Sequence, residues 1–409
     1  MNNCKDAPEF SIILPTRGRN YYISNTIKSV IAQNYKDYEL IIVDNNENDL
    51  TFQEIQKYPS TQIRYFKTGN LPMWENWNFG YQQSIGKYII VLTDRSLLYS
   101  QDSLDYLHKL IRKTNYDIYT WPMIVAVERS DFTIDSQLLW GLGNKNDIVL
   151  TRNDYREFIV KGEWDKYGMS APKGFNSCIS RDLSSKIVSI YGSLYLPLNP
   201  DYSHSFMLLN SCENVLYLSQ PLFISANLKD SYESKVRAFQ SDKSFYEQYG
   251  ITKEKSTEFC PVKSDITTGW NLIYNDLYKI MSIQGGLIDK DKIFTDAFLM
   301  SVLKYCQQYR YDDEDSTKII EMAIKSYLDY MYPSCDPRFR KELSLTIKYI
   351  FYRNNLTSIP DNTNRNLLVR LKDKVKRQIK KCFWLLCLFP KKNKNVFSLF
   401  LKNSIQKNK

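Results

Sequence analysis

The first hundred residues alternate between short apolar runs and stretches with helical spacing. Phe10-Ser11-Ile12-Ile13-Leu14 stops at Pro15, and Tyr38 to Val43 stops at Asp44-Asn45-Asn46. A run from Gln62 to Lys67 stops at Thr68-Gly69-Asn70, and Tyr88-Ile89-Ile90-Val91-Leu92, preceded by Gly86, stops at Thr93-Asp94. All four read as strands, and the continuous apolar run over Tyr88 to Leu92, bounded by a turn residue, predicts one buried on both faces. Between them Tyr22, Ile23, Ile27, Val30 and Ile31 recur at helical spacing, and shorter helices are expected at Thr51 to Lys57 and from Leu71 to Ser84. Strand and helix alternate four times. That predicts an α/β fold, a mostly parallel sheet flanked by helices.

The pattern then loosens. A helix is expected from Ser103 and a strand near Asp117 to Trp121, with Glu128 to Asp147 irregular or a hairpin. Ala171 to Asn176 reads as a loop before a helix starting near Arg181; a second helix opens at Asp201-Tyr202-Ser203, and Val215 to Leu218 reads as a strand. Beyond about Asn227 long helical patterns take over, as in Leu272 to Ile283, Lys292 to Tyr309 and Ser316 to Tyr332. Composition thus divides the chain into an α/β part over 1–230, a helical region over 231–369 and a distinct tail over 370–409.

Charge separates the tail most sharply. The chain carries 55 Lys or Arg and 45 Asp or Glu; 13 of the bases and a single acid, Asp373, fall in residues 370–409. The preceding 369 residues hold 42 bases against 44 acids, so the body is nearly neutral. A nucleic-acid binder spreads its positive charge over a folded face, so no nucleic-acid partner is expected. In the tail, Cys382 to Phe389 and Val396 to Leu401 are short apolar runs between lysines. They cannot span a bilayer, but with basic flanks they suit its anionic interface. The eight Cys form no C-x-x-C pair and only two His are present, which argues against zinc and for a reducing compartment. The first residues lack the apolar core of a signal peptide, so a cytoplasmic protein attached to the inner face of the plasma membrane is expected.

No G-x-G-x-x-G follows the first strand and no G-x-x-x-x-G-K-[ST] occurs, which removes the main support for dinucleotide and P-loop readings. What remains is a set of polar residues at the carboxyl ends of successive strands: Thr16 and Arg17, Asp44 and Asn45, Asn70, and Asp94. Ligands of open α/β sheets bind at that edge. Asp44 suits a ribose or a base N–H, Arg17 and Arg19 suit phosphates, and Asp94 suits a hard divalent cation. The 31 Tyr suit surfaces that stack on sugars, and equally ordinary cores.

Four segments in the right order carry a resemblance. Phe10 to Asn20 resembles the opening strand and loop of the family 2 glycosyltransferases, and Tyr38 to Asn45 resembles their second strand. Leu71-Pro72-Met73-Trp74-Glu75-Asn76-Trp77, followed by Ser84-Ile85-Gly86-Lys87-Tyr88, resembles the L-x-M-x-x-N-W and A-x-G-x-Y segment of a bacterial branch. The likeness covers roughly residues 9–225. It implies a GT-A fold, a nucleoside-diphosphate sugar donor, an acceptor hydroxyl on a glycan or lipid-linked glycan, and work in surface-polysaccharide synthesis.

By the family pattern Thr16 and Asp44 lie against the nucleoside, and Asn76 joins the donor-side residues. Asp94 and Ser96 fall on the metal-binding D-x-D, which implies Mn or Mg. Here the chain departs from the family: Arg95-Ser96 replaces the acidic pair, which loosens the expected metal site and gives Arg95 a share of the diphosphate charge. Asp201, in Asn199-Pro200-Asp201-Tyr202, matches the P-D whose carboxylate is the base of an inverting transfer; a helix-capping role is the alternative. His204 is a second candidate for that role, and Trp74 and Trp77 suit the donor site or the core. Two rival readings stand: a degenerate nucleotide- or glycan-binding domain, and a membrane-tethered interaction protein.

Overall fold

A computed structural model describes residues 7–128, 134–161, 163–227 and 269–288, with isolated positions at 250–252, 255, 258, 259 and 325. The first strands form where the apolar runs lie: β1 (Phe10–Thr16), β2 (Tyr38–Asp44), β3 (Ile63–Lys67) and β4 (Tyr88–Val91). Helices α1 (Asn20–Ile31), α2 (Leu50–Ile55) and α3 (Met73–Gln83) connect them. Every residue of β1 and β2 is buried, as expected for central strands covered on both faces.

The next elements are β5 (Ser96–Leu98), α4 (Ser103–Thr114), β6 (Ile118–Thr120), β7 (Met123–Glu128) and β8 (Ile134–Trp140). They lead to β9 (Ile148–Thr151), α5 (Arg152–Val160), α6 (Trp164–Ser170), β10 (Ser177–Ser180) and α7 (Arg181–Tyr191). The described chain ends with α8 (Pro200–Ser211), β11 (Asn214–Tyr217), β12 (Phe223–Asn227) and α9 (Gly269–Ile283).

Eight strands form the main sheet in the order β3-β2-β1-β4-β10-β6-β11-β9. β1 pairs in parallel with β2 and β4, β2 with β3, and β6 with β11, while β10 and β9 run antiparallel to their neighbours. The expected mostly parallel, helix-flanked sheet is therefore present. Chain order moves outward from β1 to β3, then returns to β4 on the other side of β1. The two halves part there, and the crevice at the carboxyl ends of β1 and β4 is the ligand position of such sheets. A four-stranded sheet, β5-β12-β7-β8, adjoins; β7 and β8 form a hairpin of which only β8 lies within the stretch from Glu128 to Asp147 expected to be irregular or a hairpin.

Five strands and two helices carry no signal in the sequence pattern. β10 has two apolar residues between serines, and those serines are satisfied locally: Ser180 donates to Asp117 (2.6 Å) and Ser177 accepts from the Gly174 N–H (3.1 Å). β5 has three residues, too few for any periodicity. The polar start of α5 is a capping box, in which Thr151 accepts from the Asp154 N–H and returns its own N–H to the Asp154 carboxylate.

Close packing of α3 sets the second half of the fold. A Cβ on Gly80 would lie 2.5 Å from Ile13 Cγ2, so only glycine lets α3 approach β1 this closely. Two residues earlier, buried Asn78 reaches the chain at 194–195. Its Nδ2 donates to the Tyr195 carbonyl (2.9 Å), and its Oδ1 accepts from the N–H groups of Leu194 (3.1 Å) and Tyr195 (3.2 Å). That segment ends in Leu198, which has φ +79°. A branched side chain in the left-handed region costs on the order of 1–3 kcal/mol and persists only where neighbours hold it. On the far side of α8, α9 packs its apolar residues Leu272, Ile273, Leu277 and Ile280, and both helices belong to the same compact unit as the sheets. Apart from α9, nearly all of the expected helical region, and the whole basic tail over 370–409, lie outside the described residues. No helix among the described residues is long and apolar enough to cross a membrane.

Replacing Asn78 by Ala removes three partners from buried backbone groups at once. With about 1–3 kcal/mol for each group left unsatisfied and partial recovery by water, a loss of roughly 2–4 kcal/mol is expected in urea unfolding. A change below about 0.5 kcal/mol, the scale of ordinary surface substitutions, would show that the clamp contributes little.

Candidate active site

Thr16 ends β1, and Asp94 lies three residues beyond β4. Across the gap between the two strands the Thr16 hydroxyl donates to Asp94 Oδ2 (2.9 Å) and the Arg19 guanidinium donates to Asp94 Oδ1 (3.0 Å). The Asp94 carbonyl accepts from Thr26 of α1 (3.1 Å). Asp94 is 3% exposed, so its carboxylate is nearly dry and depends on these partners. Arg19 closes the loop after β1, where Gly18 adopts φ +67°, a left-handed turn that glycine makes without strain. Arg19 remains one-third exposed and faces the crevice rim. Arg17 beside it is exposed and forms no ion pair among the described residues.

Asp44 pairs with Thr16 in register at the ends of β2 and β1. It is fully buried and accepts from the Asn46 N–H (3.0 Å), the Tyr65 hydroxyl (3.2 Å) and Thr51. Burial holds its carboxyl above the usual range, and those three bonds oppose the shift. Asp44 therefore orders the loop after β2 and offers no open face. Asn45 donates to the Leu71 carbonyl (2.7 Å). Asn76 spends both ends of its amide on structure, accepting from Thr68 (2.6 Å) and donating to the Val43 carbonyl (3.0 Å). Asn76 supports the site from below. Asn70 is exposed at the rim, bonded to Glu47.

The second half comes from α8 and the loop before β10. Because β10 runs antiparallel to β4, residues 171–176 lie at the carboxyl end of β4. Because α8 runs down to β11, its first turn lies at that edge too. Asn199 is the N-cap of α8 and Pro200 its first residue, which leaves Asp201 in the first turn, partly exposed. Lys173 is 6% exposed, with Nζ 4.8 Å above the ring of Tyr202. The sequence reading marked that loop and passed over the lysine, because a lone Lys usually signals solvent. His204 is fully buried, stacked on Tyr195 with centroids 4.7 Å apart, and its Nδ1 meets the Leu194 carbonyl (3.1 Å). Burial lowers its pKa to about 4. It is neutral packing, and unsuited to a base near neutral pH. Trp77 meets the same Tyr195 edge-on at 5.2 Å, so Trp77 is core.

These residues do not compose a divalent-cation site. Both Asp94 oxygens are engaged, one by a guanidinium. Ser96 is 2% exposed, with its hydroxyl 2.7 Å from that of Thr93 and bonded to Ser225 (3.3 Å). No group of three or more His, Cys, Asp or Glu able to hold an ion occurs among the described residues. A cation at Asp94 would also face Arg19, at roughly 4 kcal/mol per pair of unit charges 4 Å apart in a protein-like dielectric. Arg95 is half-buried, and its carbonyl accepts from Ala226 in β12 (3.0 Å).

A family model described as glycosyl transferase family 2 matches residues 11–168. The chain is 35% identical over 98 residues to a GalNAc(5)-diNAcBac-PP-undecaprenol beta-1,3-glucosyltransferase of Campylobacter jejuni, which is 23% of this chain and 31% of that protein. It is 31% identical over 113 residues to the poly(ribitol-phosphate) beta-N-acetylglucosaminyltransferase TarP of Staphylococcus aureus, 26% of this chain and 34% of that one. The chain thus spans about a third of the length of these relatives. The crystal structure of S. aureus TarS 1-349 aligns over 91% of each chain at 13% identity, with a TM-score of 0.48. Asp201, α8 and α9 lie beyond the family match.

His204 gives the site a pH signature. Its folded pKa lies below the ordinary 6.5, so the unfolded chain takes up a proton first and stability falls as pH drops from about 6.5 toward 4. By pH 4 the penalty reaches about 3 kcal/mol. His204→Gln is expected to flatten that part of the pH dependence of urea unfolding; equal slopes for both proteins would contradict the assignment.

Proposed function

We propose that the protein moves a sugar from a nucleoside-diphosphate donor to an acceptor hydroxyl, a reading supported by the glycosyl transferase family 2 match over residues 11–168. The observation that carries the reading is the Thr16–Asp94–Arg19 junction across the switch point, beside Asp44 at the end of the neighbouring β2. The nucleoside lies along the edge formed by Thr16 and the loop that Asp44 orders. The diphosphate meets Arg19, Arg17 and Arg95, whose positive charge offsets the negative charge that develops on the diphosphate as it leaves. Because the cation ligands do not fit, those guanidiniums carry the electrostatic work.

Asp201 is the base. It takes the proton of the acceptor hydroxyl as that oxygen forms a bond to the anomeric carbon, while the bond from that carbon to the diphosphate oxygen breaks. A single displacement of this kind inverts the anomeric centre. Its position in the first turn of α8, across the crevice from β1 and β4, supports the role. The buried Lys173 near Tyr202 adds a positive charge on the acceptor side. The acceptor is a lipid-linked glycan of bacterial surface-polysaccharide synthesis, and residues 370–409 hold the enzyme to the anionic inner face of the membrane, with each basic residue near the surface worth about 1 kcal/mol.

Asp201→Asn is expected to lower turnover roughly a hundred- to a thousandfold while donor affinity stays within about twofold. Turnover close to the wild type would remove Asp201 from the mechanism. Donor binding without turnover in the wild type would favour the degenerate, binding-only reading that Arg95-Ser96 motivates. For the tail, the full chain is expected to co-sediment with vesicles containing phosphatidylglycerol and not with pure phosphatidylcholine, and deletion of 370–409 to abolish this. Equal sedimentation of both proteins would refute the attachment.

A further inference from the structure

The first turn of α8 is built abnormally, and α9 accounts for it. An N-cap asparagine ordinarily turns its side chain onto the N–H groups of its own helix. Asn199 makes no such bond. Its Nδ2 instead donates to Asp276 Oδ2 on α9 (3.4 Å), and its backbone N–H bonds to the same carboxyl group. Asp276 is 2% exposed, within the apolar face that α9 lays against α8. The residue before Asn199 is the strained Leu198, and two residues after it comes Asp201. A second tie lies at the C-terminal ends of the two helices, where Asn210 Nδ2 donates to the Gln284 carbonyl (2.8 Å).

A buried carboxyl is a costly way to fill space between helices, since an apolar residue of similar size would pack without desolvation. Burial, and the nearby Asp201 charge, push the Asp276 carboxyl well above its usual range, while the Asn199 bonds and Lys279 oppose that shift. The carboxyl is retained there with both Asn199 bonds in place, which is what a group kept to hold that turn requires.

We infer that Asp276 is a positioning residue: by holding Asn199 it fixes the strained Leu198–Asn199 turn, and with it the direction in which Asp201 faces the crevice. The inference rests on the reading of Asp201 as the base. Asp276 acts on the turn through its bonds to Asn199. Nothing in the sequence marks it, because Asn275-Asp276-Leu277 reads as an ordinary helix with a solvated charge.

The test uses the full chain with Asp276→Ala, Asp276→Asn and Asn199→Ala, measuring turnover, donor KM and amide hydrogen exchange in the first turns of α8. Asp276→Ala is expected to lower kcat roughly tenfold or more with donor KM within about twofold, as misplacement of a reacting group does. It should also speed exchange at Ser203, whose N–H bonds to the Asn199 carbonyl (2.8 Å). Asp276→Asn keeps an acceptor for Asn199 and should restore both quantities; Asn199→Ala should reproduce the alanine phenotype from the other side. Unchanged exchange in Asp276→Ala, or Asp276→Asn as impaired as Asp276→Ala, would overturn the inference. If the wild type turns over no nucleotide sugar, the exchange data still decide the role of Asp276, and the glycosyl-transfer reading fails separately.

Discussion

Everything at the crevice depends on how one dry carboxylate is neutralised. Asp94 leaves β4 at the point where the sheet changes direction, and a charge that deep is stable only with hydrogen-bonded partners. It takes Thr16 from the end of β1, Arg19 from the loop after it and Thr26 from α1. One acid therefore ties together both strands that flank the switch point and the helix that covers them. The same bonds leave Arg19 at the rim with one-third of its side chain exposed, where it can meet an anion. The alternative, a divalent ion on Asp94, would have to displace a guanidinium already seated there and would gain little from Ser96, whose hydroxyl is committed to Thr93 and Ser225.

A second constraint acts on the opposite wall. Asn78 clamps the chain at 194–195, the Tyr195 ring stacks on His204, and Asp276 pulls on Asn199, so Leu198 is held in a conformation it would not choose. Strain of this kind relaxes unless several neighbours oppose it together. Here α3, α8 and α9 each contribute one contact, and together they hold the turn that leads into the first turn of α8.

The strands of the first half were legible because β1, β2 and β4 are buried on both faces and must be continuously apolar. The polar residues at their ends were legible for the same reason, since each run has to stop at a turn. What escaped were interactions that no local pattern records. Arg19 and Asp94 are 75 positions apart, so their ion pair leaves no periodic trace. Asn76 looked like a ligand contact, yet its amide serves the Val43 carbonyl and Thr68. β10 hides two apolar residues among serines that bond sideways, and Asp276 is a buried acid in a helix whose sequence suggests a wet one.

The most direct test of the central claim is calorimetric titration of nucleotide sugars into the full-length wild type and Arg19→Ala, each with EDTA and with Mn²⁺. The account predicts saturable binding of one nucleoside-diphosphate sugar, little changed by EDTA, and weakened about tenfold or more by Arg19→Ala, since a charge-assisted bond contributes roughly 1.5–3 kcal/mol. Binding that appears only with Mn²⁺, and is indifferent to Arg19, would return the diphosphate to a metal ion. No saturation by any nucleotide sugar under either condition would contradict the donor site itself.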